Sequence, residues 1–77
     1  MSPALPVIKA RDCLKALQMA GFYIDHQSGS HARLFHSVRP ELRVTIPIHS
    51  KDLPSGTLKS ILRQADLSVE DFLELLK

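Results

Sequence analysis

The chain has one cysteine, no tryptophan and no long apolar run. Because Cys13 is the only cysteine, an internal disulfide and a cysteine-based zinc site are excluded. Cys13 lies near Leu14 and Leu17 on a predicted helix, where a free cysteine packs as a small apolar side chain more often than it acts as a nucleophile. No stretch approaches the roughly 18 apolar residues of a membrane span, and no charged segment precedes an apolar core at the N-terminus. A cytoplasmic location is expected.

The sequence is also short. Its 77 residues, 44% of them hydrophobic, suffice for one folded domain but lie near the lower limit for a self-supporting core. A deep, enclosed active site is not expected at this size, so a substrate should lie across the surface, as a polymer does. We assign residues 1–8, which contain Pro3 and Pro6, to a flexible leader and residues 9–77 to a single domain.

Charge is distributed unevenly along the chain. Residues 1–65 hold nine Lys/Arg and four Asp/Glu, whereas residues 66–77 hold one Lys and four Asp/Glu. A basic body favours binding to a polyanion such as nucleic acid, because Lys and Arg neutralise phosphates. An ordinary solvated surface is the alternative interpretation.

Apolar residues recur at helical spacing in three segments. The helices are expected over residues 9–20, from Pro54 to Ala65 and from Val69 to the C-terminus. Gly21 follows the first helix, where a glycine cap belongs. Asp52 is a candidate N-cap of the second helix, and Ser68, with Asp71 three residues further on, is a candidate N-cap of the third.

Three segments between the first two helices alternate apolar and polar residues, as strands do. They cover residues 22–27, 31–36 and 42–46 and are separated by a hairpin turn at 28–30 and a longer turn at 37–41. Pro47 follows the third strand and, because it has no N–H, should end the pairing. The order of elements predicts an α+β domain with its helices on one face of an antiparallel sheet.

Four histidines invite a metal-site interpretation, which we reject. His31 and His36 are five residues apart in one strand and therefore point to opposite faces. His49 and Asp52 could share a loop site, but no further ligands have the spacing to complete it. No metal and no cofactor is expected.

RNA cleavage needs fewer groups. A base removes the proton of the 2′-hydroxyl, an acid protonates the departing 5′-oxygen, and histidine suits either task because its pKa is near neutral. His31 and Arg33 share one strand face, and Phe35 on the same face offers a surface for base stacking. The alternative role for His31 is a hairpin residue that makes one hydrogen bond. His36, on the opposite face, is expected to be buried and hydrogen-bonded, and His26 has no distinguishing context.

A resemblance to a known family appears at these residues. The ordered set consists of Gly21-Phe22, Gly29-Ser30-His31, a strand ending at Pro47, then His49, Leu53-Pro54-Ser55-Gly56-Thr57-Leu58 and Ile61-Leu62-Arg63-Gln64-Ala65. Together these segments resemble the HicA family of toxin mRNA interferases, over about residues 11–72. The spacing of the whole set is specific, although no single segment is decisive.

The resemblance implies a double-stranded-RNA-binding-like fold, metal-independent cleavage of mRNA, and a HicB-type antitoxin that blocks the active surface. It places the catalytic histidine at His31. Residues expected to contact RNA or to shape its site are Ser30, Arg33, Phe35, His49 and Lys51. Among them Arg33 and Lys51 are the expected phosphate contacts, Ser30 positions the turn, and a loop-shaping role is the alternative for His49.

The chain departs from the family pattern at two places. Ala32 stands where many members have a second histidine, so water, His49 or Lys51 must supply the other proton transfer. A longer and more basic segment, residues 36–41, replaces the usual short hairpin. This change affects RNA contacts or the fit of the antitoxin.

Two other functions remain open from the sequence. One is a non-catalytic RNA-binding domain, and the other is a protein-interaction module that acts through the acidic C-terminal helix, with core closure as the plainer role of that helix. A homodimer also stays open.

Overall fold

The computed structural model describes residues 4–48 and 51–77. Its elements follow in the order α1 (Ala10–Met19), β1 (Phe22–Ser28), β2 (His31–His36), β3 (Arg43–Pro47), α2 (Ser55–Ala65) and α3 (Val69–Leu75). The strands form one antiparallel sheet in the order β1-β2-β3. This arrangement confirms the predicted α+β class and is consistent with a double-stranded-RNA-binding-like fold. Pro47 is the last residue of β3 rather than the residue after it.

One face of the sheet carries the core. Ala32 and Leu34 of β2 and Val44 and Ile46 of β3 are all fully buried, because alternate strand residues point to the same side. The helices contribute the buried residues Ala10, Cys13, Ala16, Leu17, Leu58, Ile61, Leu62, Ala65 and Phe72. The buried residues of α1 and α2 lie on one side of each helix, as the helical spacing of apolar residues predicts. The opposite face of the sheet, with the side chains of His31, Arg33 and Phe35, is therefore left for function.

Cys13 is buried in this core, as predicted. Burial raises the pKa of its thiol from 9.0 to about 12, because the charged thiolate loses its hydration. A buried thiol with such a pKa stays protonated near neutral pH, and this favours the packing role over a nucleophilic one.

A bulge bends β1 in its middle. The pairing with β2 changes register between Ile24 and His26, which leaves Asp25 without a partner in the ladder. The extra residue keeps Phe22 on the core side and places Tyr23 on the other face, opposite Phe35. Of the seven residues of β1, all of them described, Phe22 alone is buried.

The prediction that Asp52 caps α2 is wrong. Pro54 occupies the N-cap position and no side chain accepts a hydrogen bond there. Asp52 instead forms a β-bridge and an ion pair of 3.6 Å with Lys9. The cap of α3 is confirmed, since Ser68 Oγ accepts a hydrogen bond of 3.0 Å from the Asp71 N–H.

Part of the predicted leader contacts the domain. Leu5 and Ile8 pack against the core, and the Ile8 carbonyl accepts a hydrogen bond from the Leu53 N–H. Residues 1–3 lie outside the described residues, and the flexibility of residues 1–8 stays a prediction. Within residues 4–48 and 51–77, no helix is both long and apolar enough to cross a membrane.

Candidate nucleic-acid interface

His31 lies directly after a tight turn at the end of the sheet. Ser28, the last residue of β1, pairs with His31, the first residue of β2, and Gly29 and Ser30 form the turn between them. Gly29 has a φ of +58°, in the left-handed region that glycine adopts at little cost. The Ser30 carbonyl accepts a hydrogen bond from the Ile48 N–H, which fastens the turn to the chain just after β3. The backbone of Ser30 therefore fastens the turn that precedes His31.

The face of the sheet opposite the core presents three cross-strand rows, which we call the outer sheet face. The first row contains His31, flanked by Ser28 and Pro47, and the second contains Arg33, flanked by His26 and Thr45. The third contains Phe35, flanked by Tyr23 and Arg43. Residues two apart on a strand are about 7 Å apart. His31, Arg33 and Phe35 thus share one face, as predicted.

The third row is a cluster of rings and charge. The Tyr23 and Phe35 ring centroids are 6.4 Å apart at an interplanar angle of 69°, and the Arg43 guanidinium carbon lies 5.4 Å from the Phe35 centroid. Phe35 is half-buried between these two neighbours. Tyr23 is 47% exposed and Arg43 is exposed. The surface that a base would meet is consequently the whole row rather than Phe35 alone.

An open groove of about 460 Å³ lies beside the first two rows, between β3 and α2. His31, Thr45 and Pro47 line it from the sheet side. The helix side consists of Gly56, Thr57, Ser60, Ile61 and Gln64. His31 therefore lies on the outer sheet face and also lines this groove. The described residues give the groove hydroxyl and amide groups and no Asp, Glu, Lys or Arg side chain.

Gln64 joins the two walls of the groove. Its Oε1 accepts a hydrogen bond of 3.0 Å from the Thr45 N–H, and its Nε2 donates one of 3.1 Å to Ser60 Oγ. Thr45 belongs to the edge strand, so this amide occupies an N–H that would otherwise be open for pairing. The bond from Thr45 ties α2 to β3 in the groove that His31 also lines.

Positive charge on the outer sheet face is not neutralised locally. Neither Arg33 nor Arg43 forms an ion pair with any other residue of 4–48 or 51–77. Asp25, at the bulge, carries the nearest negative charge along β1 and contacts His26 Nδ1 at 2.8 Å. Lys51 is exposed in the segment before α2, and no hydrogen bond joins its side chain to His31 within the described chain. His49 lies outside the described residues.

His36 has a structural role: it is hydrogen-bonded, as predicted, but half-buried rather than buried. Its Nδ1 accepts hydrogen bonds from the backbone N–H groups of Val38 and Arg39, at 3.1 and 2.9 Å. The ring proton must then lie on Nε2, which donates to the Ala20 carbonyl at 3.0 Å. The ring also meets Phe22 edge-on, with centroids 4.8 Å apart. It faces away from His31 and takes no part in the interface.

Sequence reasoning missed Tyr23, Arg43 and Gln64. The bulge at Asp25 decides which β1 residue opposes Phe35, and no local pattern announces it. Thr57, Ser60 and Gln64 do recur at i, i+3 and i+7, which marks one polar stripe of α2. That spacing was a usable signal, although it does not say what the stripe faces. In the described part of the chain, no three His, Cys, Asp or Glu side chains cluster closely enough to hold a metal ion.

Comparison with known proteins adds one finding. A family model described as the HicA toxin of bacterial toxin–antitoxin systems matches residues 10–67. The matched segment runs from the first residue of α1 to just past α2 and so includes the outer sheet face and the groove. No curated protein matches the chain.

Proposed function

The chain belongs to the HicA family of toxins of bacterial toxin–antitoxin systems, and on that premise we propose that it is an endoribonuclease that cuts mRNA. His31 serves as its general acid or general base. The proposal adds the chemistry and the residues to what family membership gives, namely a toxin that works with a cognate antitoxin.

The exposure of His31 is the observation that carries this proposal. Its side chain lies at one end of the central strand, between the groove and the outer sheet face, and no residue within 4–48 or 51–77 forms a hydrogen bond with it. A catalytic imidazole must reach the proton it transfers, within hydrogen-bonding distance. An RNA strand that lies over this end of the sheet can reach the imidazole from the outer sheet face or from the groove.

The reaction uses a nucleophile that the substrate supplies. The 2′-hydroxyl loses its proton, O2′ forms a bond to the adjacent phosphorus, and the bond from phosphorus to O5′ breaks. One strand then ends in a 2′,3′-cyclic phosphate, and the other receives a proton on O5′. His31 performs one of the two proton transfers. Because the ribose provides the attacking oxygen, this chemistry requires no metal ion and no cofactor.

The second proton transfer does not come from the residue after His31. Ala32 is fully buried in the core, on the opposite side of β2. A side chain at this position faces away from the RNA, which supports a site with a single histidine on the strand. Water, His49 or Lys51 then completes the reaction.

Phosphate binding falls to the cations near His31. Arg33 lies one row away, about 7 Å along the strand, and stabilises negative charge on the backbone of the bound RNA. Lys51 is the second proposed phosphate contact, and Phe35 supports a base further along the face. Replacing Arg33 or Lys51 should weaken RNA binding more at low salt than at high salt, since contacts between a cation and a phosphate release counterions.

We test the proposal by incubating purified protein with single-stranded RNA in excess chelator. Wild-type protein should cut the RNA into fragments with cyclic phosphate ends, and His31→Ala should not cut it. His26→Ala is the matched control, since it removes another exposed imidazole from the next row. Equal cleavage by wild type and His31→Ala would overturn the assignment of His31.

The same experiment separates the main rival function, a non-catalytic RNA-binding domain. In that case wild type retards RNA in a gel without cutting it, and His31→Ala weakens binding only modestly.

The other rival function, a docking module on α3, is disfavoured by the packing. Phe72 is fully buried, and Val69, Leu75 and Leu76 pack against the core, so α3 closes the domain.

The proposed partner is a HicB-type antitoxin that covers the outer sheet face and the groove. Such a contact would hide His31 from RNA without any change in the toxin. Adding the purified antitoxin to His31→Ala protein should displace bound RNA. Simultaneous binding of RNA and antitoxin to one toxin molecule would contradict this mode of inhibition.

A further inference from the structure

We propose that Tyr23, Phe35 and Arg43 form a platform that binds one unpaired base of the RNA close to the cut. This inference rests on the proposed function and adds a second contact point to the catalytic one. It concerns Tyr23 and Arg43, for which the cleavage chemistry itself has no use.

The register of the sheet builds the platform. Tyr23, Phe35 and Arg43 are direct cross-strand neighbours on the same face as His31. Phe35, in the middle, meets the Tyr23 ring on one side and the Arg43 guanidinium on the other, at 6.4 and 5.4 Å. These contacts restrict all three side chains before any ligand arrives, so less conformational entropy is lost on binding.

The chemistry of the row matches a nucleobase attached to phosphate. Aromatic rings and guanidinium planes are the groups on which proteins stack unpaired bases. Arg43 also provides a positive charge that no carboxylate of the described residues neutralises, so it attracts the neighbouring phosphate. The exposed ring of Tyr23 offers an open π-surface of the size of a base. A paired base has both faces covered by its neighbours, so the platform selects single-stranded RNA.

The distance from His31 limits which base is bound. His31 and Phe35 are four residues apart on one strand, or about 13 Å. Stacked bases on one strand are spaced about 3.4 Å apart and an unstacked strand is longer. For a strand that runs straight along β2, the bound base therefore lies within about four nucleotides of the cut bond.

Binding is measured in the His31→Ala background, so that the RNA survives. Tyr23→Ala should weaken binding to a labelled single-stranded RNA by roughly fivefold to 150-fold, the effect of losing one stacked base. Tyr23→Phe should retain near-normal affinity, because the ring remains. Binding to a duplex of the same sequence should not change. Tyr23 is 47% exposed, and a thermal melt of each variant verifies folding.

Arg43 is tested against a cation elsewhere. Arg43→Ala should weaken binding to single-stranded RNA, whereas Arg63→Ala, which removes an exposed guanidinium from α2 outside the outer sheet face, should weaken it by a smaller factor. Arg43→Lys keeps the positive charge but loses the planar guanidinium. Its loss of RNA affinity should be smaller than that of Arg43→Ala and larger than that of Arg63→Ala. Equal losses for Arg43→Ala and Arg63→Ala would reduce the platform to non-specific charge and overturn it.

Cleavage mapping on a pool of random RNA sequences completes the test. Wild type should show a base preference at one fixed position within about four nucleotides of the cut, and Tyr23→Ala should lose that preference. If Tyr23→Ala cuts at the same rate and positions as wild type, the platform proposal fails although the nuclease assignment stands. The platform proposal also fails if Tyr23→Ala or Arg43→Ala loses only antitoxin binding, since the row would then be a protein contact. Failure of wild type to cut any RNA would instead remove the proposed function.

Discussion

Gly21 and His36 are in such close contact that only glycine fits. A Cβ built on Gly21 would lie 2.7 Å from His36 Nε2, and Gly21 has a φ of +104°, which L-residues rarely adopt. The same imidazole nitrogen donates to the carbonyl of Ala20, the preceding residue. The end of α1 and the end of β2 are thus joined through one ring.

Gly21→Ala should destabilise the protein by about 1–3 kcal/mol from its backbone conformation alone, with a further loss because His36 must move. Chemical denaturation measures the change. Gly56→Ala is the opposite control, since Gly56 lies in α2 with a negative φ and with no atom close to where an added methyl group would lie. It should stabilise the protein by about 0.5–1 kcal/mol. Equal stability of the two variants would contradict the proposed contact.

His36→Phe should destabilise the protein by about 0.5–1.5 kcal/mol, measured by the same denaturation experiment. Phenylalanine keeps a ring next to Phe22 but leaves the Ala20 carbonyl and the N–H groups of Val38 and Arg39 without their partner. His26→Phe, at an exposed position, should change stability by no more than about 0.5 kcal/mol. A His36→Phe variant as stable as wild type would show that these hydrogen bonds contribute little.

The helices were predictable because their information is local. Leu58, Ile61, Leu62 and Ala65 repeat at helical spacing, and all four are buried on one side of α2. The alternation in β2 is local in the same way. It assigns His31 and Ala32 to opposite faces, because successive side chains of any strand point to opposite sides.

The failures involve contacts between distant segments. Asp52 has a good N-cap side chain, but its bridge to Lys9, more than forty residues away in the chain, holds it outside the cap position. The bulge at Asp25 likewise depends on how β1 fits β2 and the core together. It brings Tyr23 opposite Phe35, a pairing that the sequence pattern does not specify.

The buried thiol of Cys13 predicts a pH dependence of stability. Its pKa is 9.0 when unfolded and about 12 in the fold. Because the pKa is raised in the fold, the protonated thiol contributes its full share of the stability below pH 9. Between pH 9 and 12 the unfolded chain releases the proton more readily than the folded one, so this share is lost as the pH rises. The stability of wild type should therefore fall more steeply between pH 9 and 12 than that of Cys13→Ala. Parallel curves for the two proteins would contradict the pKa shift.

Substitutions of Gln64 allow effects on stability to be distinguished from effects on RNA binding. Gln64→Ala leaves the Thr45 N–H without its partner and should cost about 1–3 kcal/mol of stability. Gln64→Glu keeps an acceptor for that N–H, and the Ser60 hydroxyl can turn to donate to the new carboxylate. We therefore expect Gln64→Glu to lose less stability than Gln64→Ala.

The new negative charge of Gln64→Glu lies in the groove beside His31, where the proposed function places RNA. It should weaken RNA binding roughly fivefold or more, since two like charges 4 Å apart repel by about 1 kcal/mol even in bulk water. Gln18→Glu makes the same chemical change at an exposed position of α1 and should weaken binding less. Filter binding at low salt compares the two variants. Equal affinities would mean that the bound strand avoids the groove and reaches His31 across the outer sheet face alone.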